Sequence, residues 1–297
     1  MSDFLGIFDL EPERLASLLA ESSTVKRDPS RVAGALRGRS IGLFFMKPST
    51  RTRVSSEVAA FELGAHPVVL GQDEVGLGDR ESVSDVARSL DRYLDLLALR
   101  VFDHGHLIEM SRAAKAPVIN LLSDLEHPCQ ALADLQTIEE HRMLAGTVLA
   151  YVGDGNNVCH SLMVAAAMAQ MEVRVATPSG YEPQARFVDR AATFSQVRLF
   201  DEPMAAVAGA DVVYTDVWAS MGQETEQSER SSRFEAFRVD DRVFSSADQE
   251  AIFLHCLPAH RGEEVTPSVI DGPRSRVFDQ AENRLHTFKA LLLHYLG

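Results

Sequence analysis

Short apolar runs rich in β-branched residues alternate along the whole chain with stretches whose apolar side chains recur every three or four positions. That rhythm predicts βαβ units and parallel sheets, an α/β architecture. Strands are expected near Ile41–Phe45, Pro67–Leu70, Leu96–Leu99 and Pro117–Asn120, and again near Val148–Val152, Val173–Ala176, Val197–Phe200, Val212–Tyr214 and Ile252–Leu254. The set divides around residue 130. Cys129–Met143 contains no breaker and carries Leu132, Leu135, Thr137 and Ile138 at helical spacing, which predicts a helix joining the two halves. Asn283–Leu296 also reads as a helix, and it is expected to return to the first half because the strands after residue 140 already complete a second sheet. The fold expected is two doubly wound parallel-sheet domains joined by two interdomain helices: residues 1–130 with the C-terminal helix 281–297, and residues 131–280. The polar stretch Gly222–Ser232 reads as a loop.

Composition narrows the function classes. The 297 residues are 45% hydrophobic and 24% charged, enough apolar material for one large core or two ordinary ones. A net charge of -14 with no broad basic stripe argues against nucleic acid and against anionic membranes as partners. No apolar run approaches the length of a membrane-spanning helix, and the first residues lack a cationic, apolar leader, so a cytoplasmic location is expected. Three cysteines, Cys129, Cys159 and Cys256, are an odd number without paired spacing, which fits reduced thiols.

Against that acidic background one segment stands out. Met46-Lys47-Pro48-Ser49-Thr50-Arg51-Thr52-Arg53-Val54 places three cations and several hydroxyls where a strand gives way to a helix. The free N–H groups of a first helical turn, its positive dipole end and planar guanidinium groups together form a cradle for phosphate. An ordinary capped helix start, with Ser49 as N-cap, is the alternative. In open α/β sheets ligands sit beyond the carboxyl ends of strands, and other polar groups fall there too. Arg100 follows Leu96–Leu99, and Ser123 through Gln130 follow Pro117–Asn120, with Pro128 at a first helical position and His127 at the cap. In the second half the positions after strands hold Gly153-Asp154-Gly155-Asn156-Asn157, then Thr215-Asp216-Val217-Trp218, then His255-Cys256-Leu257-Pro258. Two such sets facing one cleft is the arrangement expected. Gly153-Asp154-Gly155 invites a dinucleotide reading, but Val158 replaces the third glycine of that fingerprint. Asn156 and Asn157 remain candidates for a helix cap or for binding a carboxylate. A metal site at His255, Cys256 and His260 is disfavoured, because Pro258 breaks any helix that would align them. A thiolate at Cys256 would need His255 as its base, and on a strand the two side chains point to opposite faces.

Taken together, Ser49-Thr50-Arg51-Thr52-Arg53, His127-Pro128-Cys129-Gln130 and His255-Cys256-Leu257-Pro258 resemble, in order and separation, the signature of the aspartate/ornithine carbamoyltransferase family. Asp216-Val217-Trp218-Ala219-Ser220-Met221-Gly222, the Gly153–Asn157 turn and Ala281–His286 look like its ornithine branch. The resemblance implies transfer of the carbamoyl group of carbamoyl phosphate to the δ-amine of L-ornithine, giving citrulline and phosphate, within arginine metabolism and amino-acid biosynthesis. It implies no cofactor and no metal, and a homotrimer or a multiple of trimers with sites at subunit contacts. By motif position Ser49, Thr50, Arg51 and Thr52 would hold the phosphate, with Arg100 bridging phosphate and carbonyl oxygen and His127 reaching the same oxygen. Gln130, Arg284 and the Leu257 carbonyl would hold the carbamoyl amide. Asn157, Asp216, Ser220 and Met221 would bind ornithine's amino-acid end, with Cys256 and Asp216 near the reacting amine. The catalytic set implied is Arg51, Arg100, His127, Asp216 and Cys256. Ser56 departs from the pattern, standing where the family usually carries an aromatic residue, so looser packing behind the cradle is expected; Gly76–Ser82 resembles the family's segment near a neighbouring subunit. Rival readings are transfer to a related amine such as putrescine or an acylated ornithine, a non-catalytic carbamoyl-phosphate sensor, and an NAD-binding oxidoreductase.

Overall fold

The structure is a computed structural model that describes residues 3–219 and 227–297. The chain divides into two compact units, Met1–Ala133 with Glu282–Gly297, and Asp134–Ala281.

In the first unit the elements run α1 (Pro12–Arg27), β1 (Ser40–Phe45), α2 (Thr50–Glu62), β2 (His66–Gly71), α3 (Gln72–Val75), α4 (Val83–Leu90), β3 (Leu96–Arg100), α5 (His104–Ala113), β4 (Val118–Leu122) and the start of α6 (Pro128–Glu139). The four strands pair in parallel in the order β2-β1-β3-β4. β1, β3 and β4 are buried along almost their whole length, which is why they read as continuous apolar runs rather than alternating ones. Phe44, Leu97, Leu99, Val118, Leu107 and Met110 pack with Val86 into the core between the sheet and α4 and α5.

In the second unit the order is β5 (Val148–Val152), α7 (Asn157–Met168), β6 (Glu172–Ala176), α8 (Ala185–Ala192), β7 (Val197–Phe200), α9 (Pro203–Val207), β8 (Val212–Thr215), α10 (Gln227–Phe234), α11 (Asp241–Phe244), β9 (Ile252–His255), α12 (Pro267–Ile270) and the start of α13 (Val277–Leu296), the rest of which belongs to the first unit. Its five strands are all parallel in the order β7-β6-β5-β8-β9. Every residue of α7 is buried. The division between units falls inside α6 and inside α13, so two helices join them.

Each of the nine apolar runs read as a strand is one, with ends moved by a residue or two. Two readings need correction. α13 begins at Val277 rather than near Asn283, and residues 227–232 of the expected loop belong to α10. The six residues Gln227-Ser228-Glu229-Arg230-Ser231-Ser232 carry no apolar side chain to give a helical period, and the early turns of α13 hold Gln280, whose hydrogen-bond partners are distant in sequence.

Candidate active site

Strand order decides where ligands belong. In the first unit the connections reverse direction between β1 and β3, and in the second between β5 and β8, and such switch points open crevices beyond the carboxyl ends of the strands. The polar groups singled out in the sequence sit at both.

At the first switch point β1 ends at Phe45, paired with Arg100 of β3, and the Met46 N–H donates to the Arg100 carbonyl at 2.9 Å. Lys47 and Pro48 then lead to Ser49, the N-cap of α2. Ser49 is extended, with φ -150°, and its hydroxyl makes no capping bond; the first turn carries no acidic residue. The capping alternative therefore leaves the Ser49 hydroxyl without a role, whereas an anion uses both it and the free N–H groups. Arg53 does not join the cradle: its Nε donates to Glu57 at 2.7 Å, an ordinary pair one helical turn apart on an exposed face. Lys47 lies 6.0 Å from the centre of the Phe102 ring. Arg51 is half-buried and Thr52 buried.

Arg284 ties α13 to this set. Its Nη1 donates to Gln130 Oε1 at 2.5 Å and its Nη2 to Thr52 Oγ1 at 3.1 Å, linking three helices through one buried guanidinium. His127, also buried, has its imidazole held well below the ordinary histidine range, first by burial and then by the cations Arg284, Arg100 and Arg51. The ring is accordingly neutral at physiological pH. Beside it, the buried Glu126 accepts from the Ile7 N–H at 2.8 Å, and a Cβ at Gly6 would lie 1.9 Å from its carboxylate oxygen. Cys129 is structural: burial pushes its thiol up to about 12, and Sγ donates to the Asn120 carbonyl at 3.3 Å. Ser56 is fully buried on α2.

The second switch point gathers Asn156, Asn157, Asp216 and Cys256. Asn156 has two jobs. Its Oδ1 caps α7 by accepting from the N–H groups of Val158 at 3.0 Å and Cys159 at 3.1 Å, and its Nδ2 donates to Asp216 Oδ2 at 3.0 Å. Asn157 lies in the first turn, nine-tenths buried. The other Asp216 oxygen, Oδ1, accepts from Cys256 Sγ at 3.0 Å. Gly155 is a glycine for packing: a Cβ there would lie 2.2 Å from the Pro183 nitrogen, so the turn is pressed against protein backbone. That removes the close-approach role a dinucleotide pyrophosphate would require of it.

His255 ends β9 and Cys256 lies just beyond it, and a ring nitrogen of the one comes within 4.8 Å of the sulfur of the other, so the opposite faces expected of two residues on a regular strand are not what the structure has. His255 Nδ1 accepts from the Leu257 N–H at 2.9 Å, which places the ring proton on Nε2, 3.3 Å from Glu264 Oε1, and both side chains are fully buried. Leu257 has a left-handed φ of 58° and precedes Pro258 through a cis peptide bond. Asp216, His255 and Cys256 each offer a metal-ligand atom within 4.8 Å of the others, as do His260, Glu263 and Glu264. In the first trio the hydrogen bonds just described already engage the donors.

Ser220 and Met221 lie outside the described residues. Sequence reasoning also missed two polar hubs. Gln280 Nε2 donates to Asp134 Oδ1 at 2.6 Å and to the Tyr214 hydroxyl at 3.1 Å, while its Oε1 accepts from the His255 N–H at 3.0 Å. Arg230 pairs with Asp154 at 2.8 Å. No local pattern signals either, because the partners are 12 to 146 residues away.

One parallel-sheet unit thus carries hydroxyl and cationic side chains at a helix start together with a buried neutral histidine, and the other an amide-carboxylate-thiol cluster. Comparison with known proteins gives the family. Residues 2–140 match the model of the carbamoyl-phosphate-binding domain of aspartate/ornithine carbamoyltransferases, and residues 145–295 match that of the Asp/Orn-binding domain. The chain belongs to the aspartate/ornithine carbamoyltransferase family. It is 53% identical to the ornithine carbamoyltransferase of Acidothermus cellulolyticus, over 97% of this chain and 95% of that one. The structure of the Pyrococcus furiosus ornithine carbamoyltransferase superposes with a TM-score of 0.96 at 45% identity, covering 100% of this chain and 97% of the other. An acetylornithine transcarbamylase complexed with acetylcitrulline shares the fold at TM-score 0.90 but is 31% identical, with 100% of both chains covered.

Proposed function

We propose that this enzyme transfers the carbamoyl group of carbamoyl phosphate to the δ-amine of L-ornithine, giving L-citrulline and phosphate. The observation that carries the reading is 53% identity to an ornithine carbamoyltransferase over almost the whole of both chains. An acylated ornithine is less favoured, since the relative associated with acetylcitrulline is far more distant in sequence at an equal fold. Putrescine would leave an amino-acid-binding set without a partner, and a non-catalytic sensor would have no use for an acceptor side.

In this reading Ser49, Thr50, Arg51 and Thr52 grip the phosphate, and Arg100 bridges phosphate and carbonyl oxygen. Neutral His127 donates its ring N–H to that oxygen, while Gln130 and Arg284 orient the carbamoyl amide. On the acceptor side Asn157, Asp216, Ser220 and Met221 take the amino-acid end of ornithine, Asp216 and Cys256 meet the δ-nitrogen, and the Leu257 carbonyl accepts from the carbamoyl NH2. An alkyl ammonium titrates near ~10.4, so it must lose a proton before it attacks. The neutral nitrogen adds to the carbonyl carbon, the C–O bond to phosphate breaks, and the nitrogen's proton leaves with phosphate or solvent. Charge developing on the carbonyl oxygen meets the preorganised donors Thr52, Arg100 and His127, so most of the rate comes from positioning and electrostatics. No cofactor enters these steps.

The reading carries with it a homotrimer or a multiple of trimers, and a cytoplasmic location. Val54 and Phe61, exposed and seven residues apart on α2, supply apolar surface for contact between copies. No helix of the described residues is long and apolar enough to cross a membrane. A colorimetric citrulline assay on purified protein, run against ornithine, putrescine and acetylornithine, is the test. Turnover confined to either rival amine, or binding of carbamoyl phosphate without turnover of any amine, refutes it.

A further inference from the structure

Arg230 belongs to neither substrate set, yet it is only 6% exposed. Its Nη1 donates to Asp154 Oδ2 at 2.8 Å and to the Trp218 carbonyl at 3.0 Å, and its guanidinium carbon lies 4.9 Å from the centre of the Tyr181 ring. A guanidinium is costly to bury unless it is paired and hydrogen-bonded, so so complete a burial marks a contact around which the surrounding backbone is organised. The two acceptors have informative addresses. Asp154 stands two residues before Asn156 in the turn after β5, and its own carbonyl accepts from the Tyr151 hydroxyl at 2.9 Å. Trp218 stands two residues after Asp216 in the turn after β8. β5 and β8 are neighbouring strands, in register from Leu149 with Val212 to Val152 with Thr215. One nitrogen of Arg230 therefore clamps together the two turns that carry Asn157 and Asp216, in addition to the direct Asn156–Asp216 bond at 3.0 Å.

We propose that Arg230, paired with Asp154, is a positioning residue for the acceptor: it fixes the spacing of the turns that present Asn157 and Asp216, and thereby sets the affinity for ornithine. The inference rests on the acceptor assignment above and deepens it. Arg230 acts through backbone and carboxylate partners, and takes no part in gripping carbamoyl phosphate.

The experiment measures both substrate constants in Arg230→Met, Arg230→Lys, Asp154→Asn and the double variant Arg230→Met/Asp154→Asn. Removing one charge-assisted clamp is expected to raise KM for ornithine about tenfold or more in Arg230→Met, with KM for carbamoyl phosphate within about twofold of wild type. A lysine Nζ retains the charge and enough donors for both acceptors, so Arg230→Lys is expected to recover part of the loss. Asp154→Asn moves KM in the same direction, and the double variant is no worse than the worse single one, as two halves of one contact require. Arg261→Met, which breaks the exposed pair of Arg261 with Asp271 at 2.6 Å, is the control and leaves both constants unchanged. If Arg230→Met does not fold, the lysine and asparagine variants decide. An ornithine KM that stays within about twofold of wild type, or two KM values that rise in parallel, overturns the inference. Wild-type protein inert toward ornithine overturns the acceptor assignment, and this inference with it; active wild type with unmoved variants overturns this inference alone.

Discussion

Replacing Arg284 with methionine separates the donor side of the proposed mechanism from the rest of the molecule. Methionine approximates the length and apolar volume of the arginine stem but donates nothing, so Gln130 Oε1 and Thr52 Oγ1 lose donors now at 2.5 Å and 3.1 Å. Both residues are 2% exposed, so water replaces the donor poorly. A hydrogen bond from a charged donor contributes about 1.5–3 kcal/mol, which puts the combined loss at about 3–6 kcal/mol if neither partner finds a substitute. Even the lower figure corresponds to about a hundredfold in rate. In the citrulline assay kcat/KM for carbamoyl phosphate is expected to fall by ~10² or more, with KM for ornithine at saturating carbamoyl phosphate much less affected. A second readout is independent of turnover. Arg284 is the largest charge contribution holding the His127 imidazole low, after burial, so in the variant the His127 titration followed by NMR moves up toward the ordinary histidine range. Activity within about twofold of wild type, or an unmoved His127 titration, refutes the placement of Arg284 at the centre of this cluster.

Three further predictions follow from the same geometry. Cys256→Ala removes the thiol at 3.0 Å from Asp216 and is expected to lower kcat by about tenfold while leaving KM for carbamoyl phosphate unchanged, in steady-state kinetics with ornithine. Gly155→Ala drives a methyl group into the Pro183 backbone and is expected to cost about 1–3 kcal/mol, measured by urea unfolding; an unchanged midpoint would show that the turn yields. Because the native pKa of His127 is held well below the ordinary histidine value of 6.5, the unfolded chain binds the proton first on acidification. Stability from this group is thus intact above pH ~6.5 and declines as pH falls toward the native value, and His127→Asn is expected to flatten that part of the urea-derived stability profile.

Apolar periodicity exposed the architecture because both sheets are parallel and their inner strands, such as β1, β3, β5 and β8, are buried along almost their whole length and read as nearly continuous apolar runs. The site was legible where chemistry is local, as in the run of hydroxyls and cations from Lys47 to Arg53, although Arg53 is drawn to Glu57 four residues on, a competition that charge counting alone does not resolve. Asn156 illustrates a different gap. Its two sequence-level readings, cap and carboxylate partner, are both realised, since an amide offers an acceptor at one end and a donor at the other. Arg230 and Gln280 were opaque for a simpler reason: a polar side chain in a polar neighbourhood looks solvated until its distant partners are known. The start of α13 was missed for the same reason, because Gln280 makes its bonds to β8, β9 and α6.

The two-ended amide at Asn156 also makes the acceptor turn vulnerable to chemical ageing. Hydrolysis of that side chain to a carboxylate would keep the helix cap, since an oxygen still faces the N–H groups of Val158 and Cys159. It would replace the donor aimed at Asp216 with a second anion in a poorly hydrated recess, so a change of one atom would turn an attraction into a repulsion. Old protein would then lose its grip on the amine substrate and melt at a lower temperature.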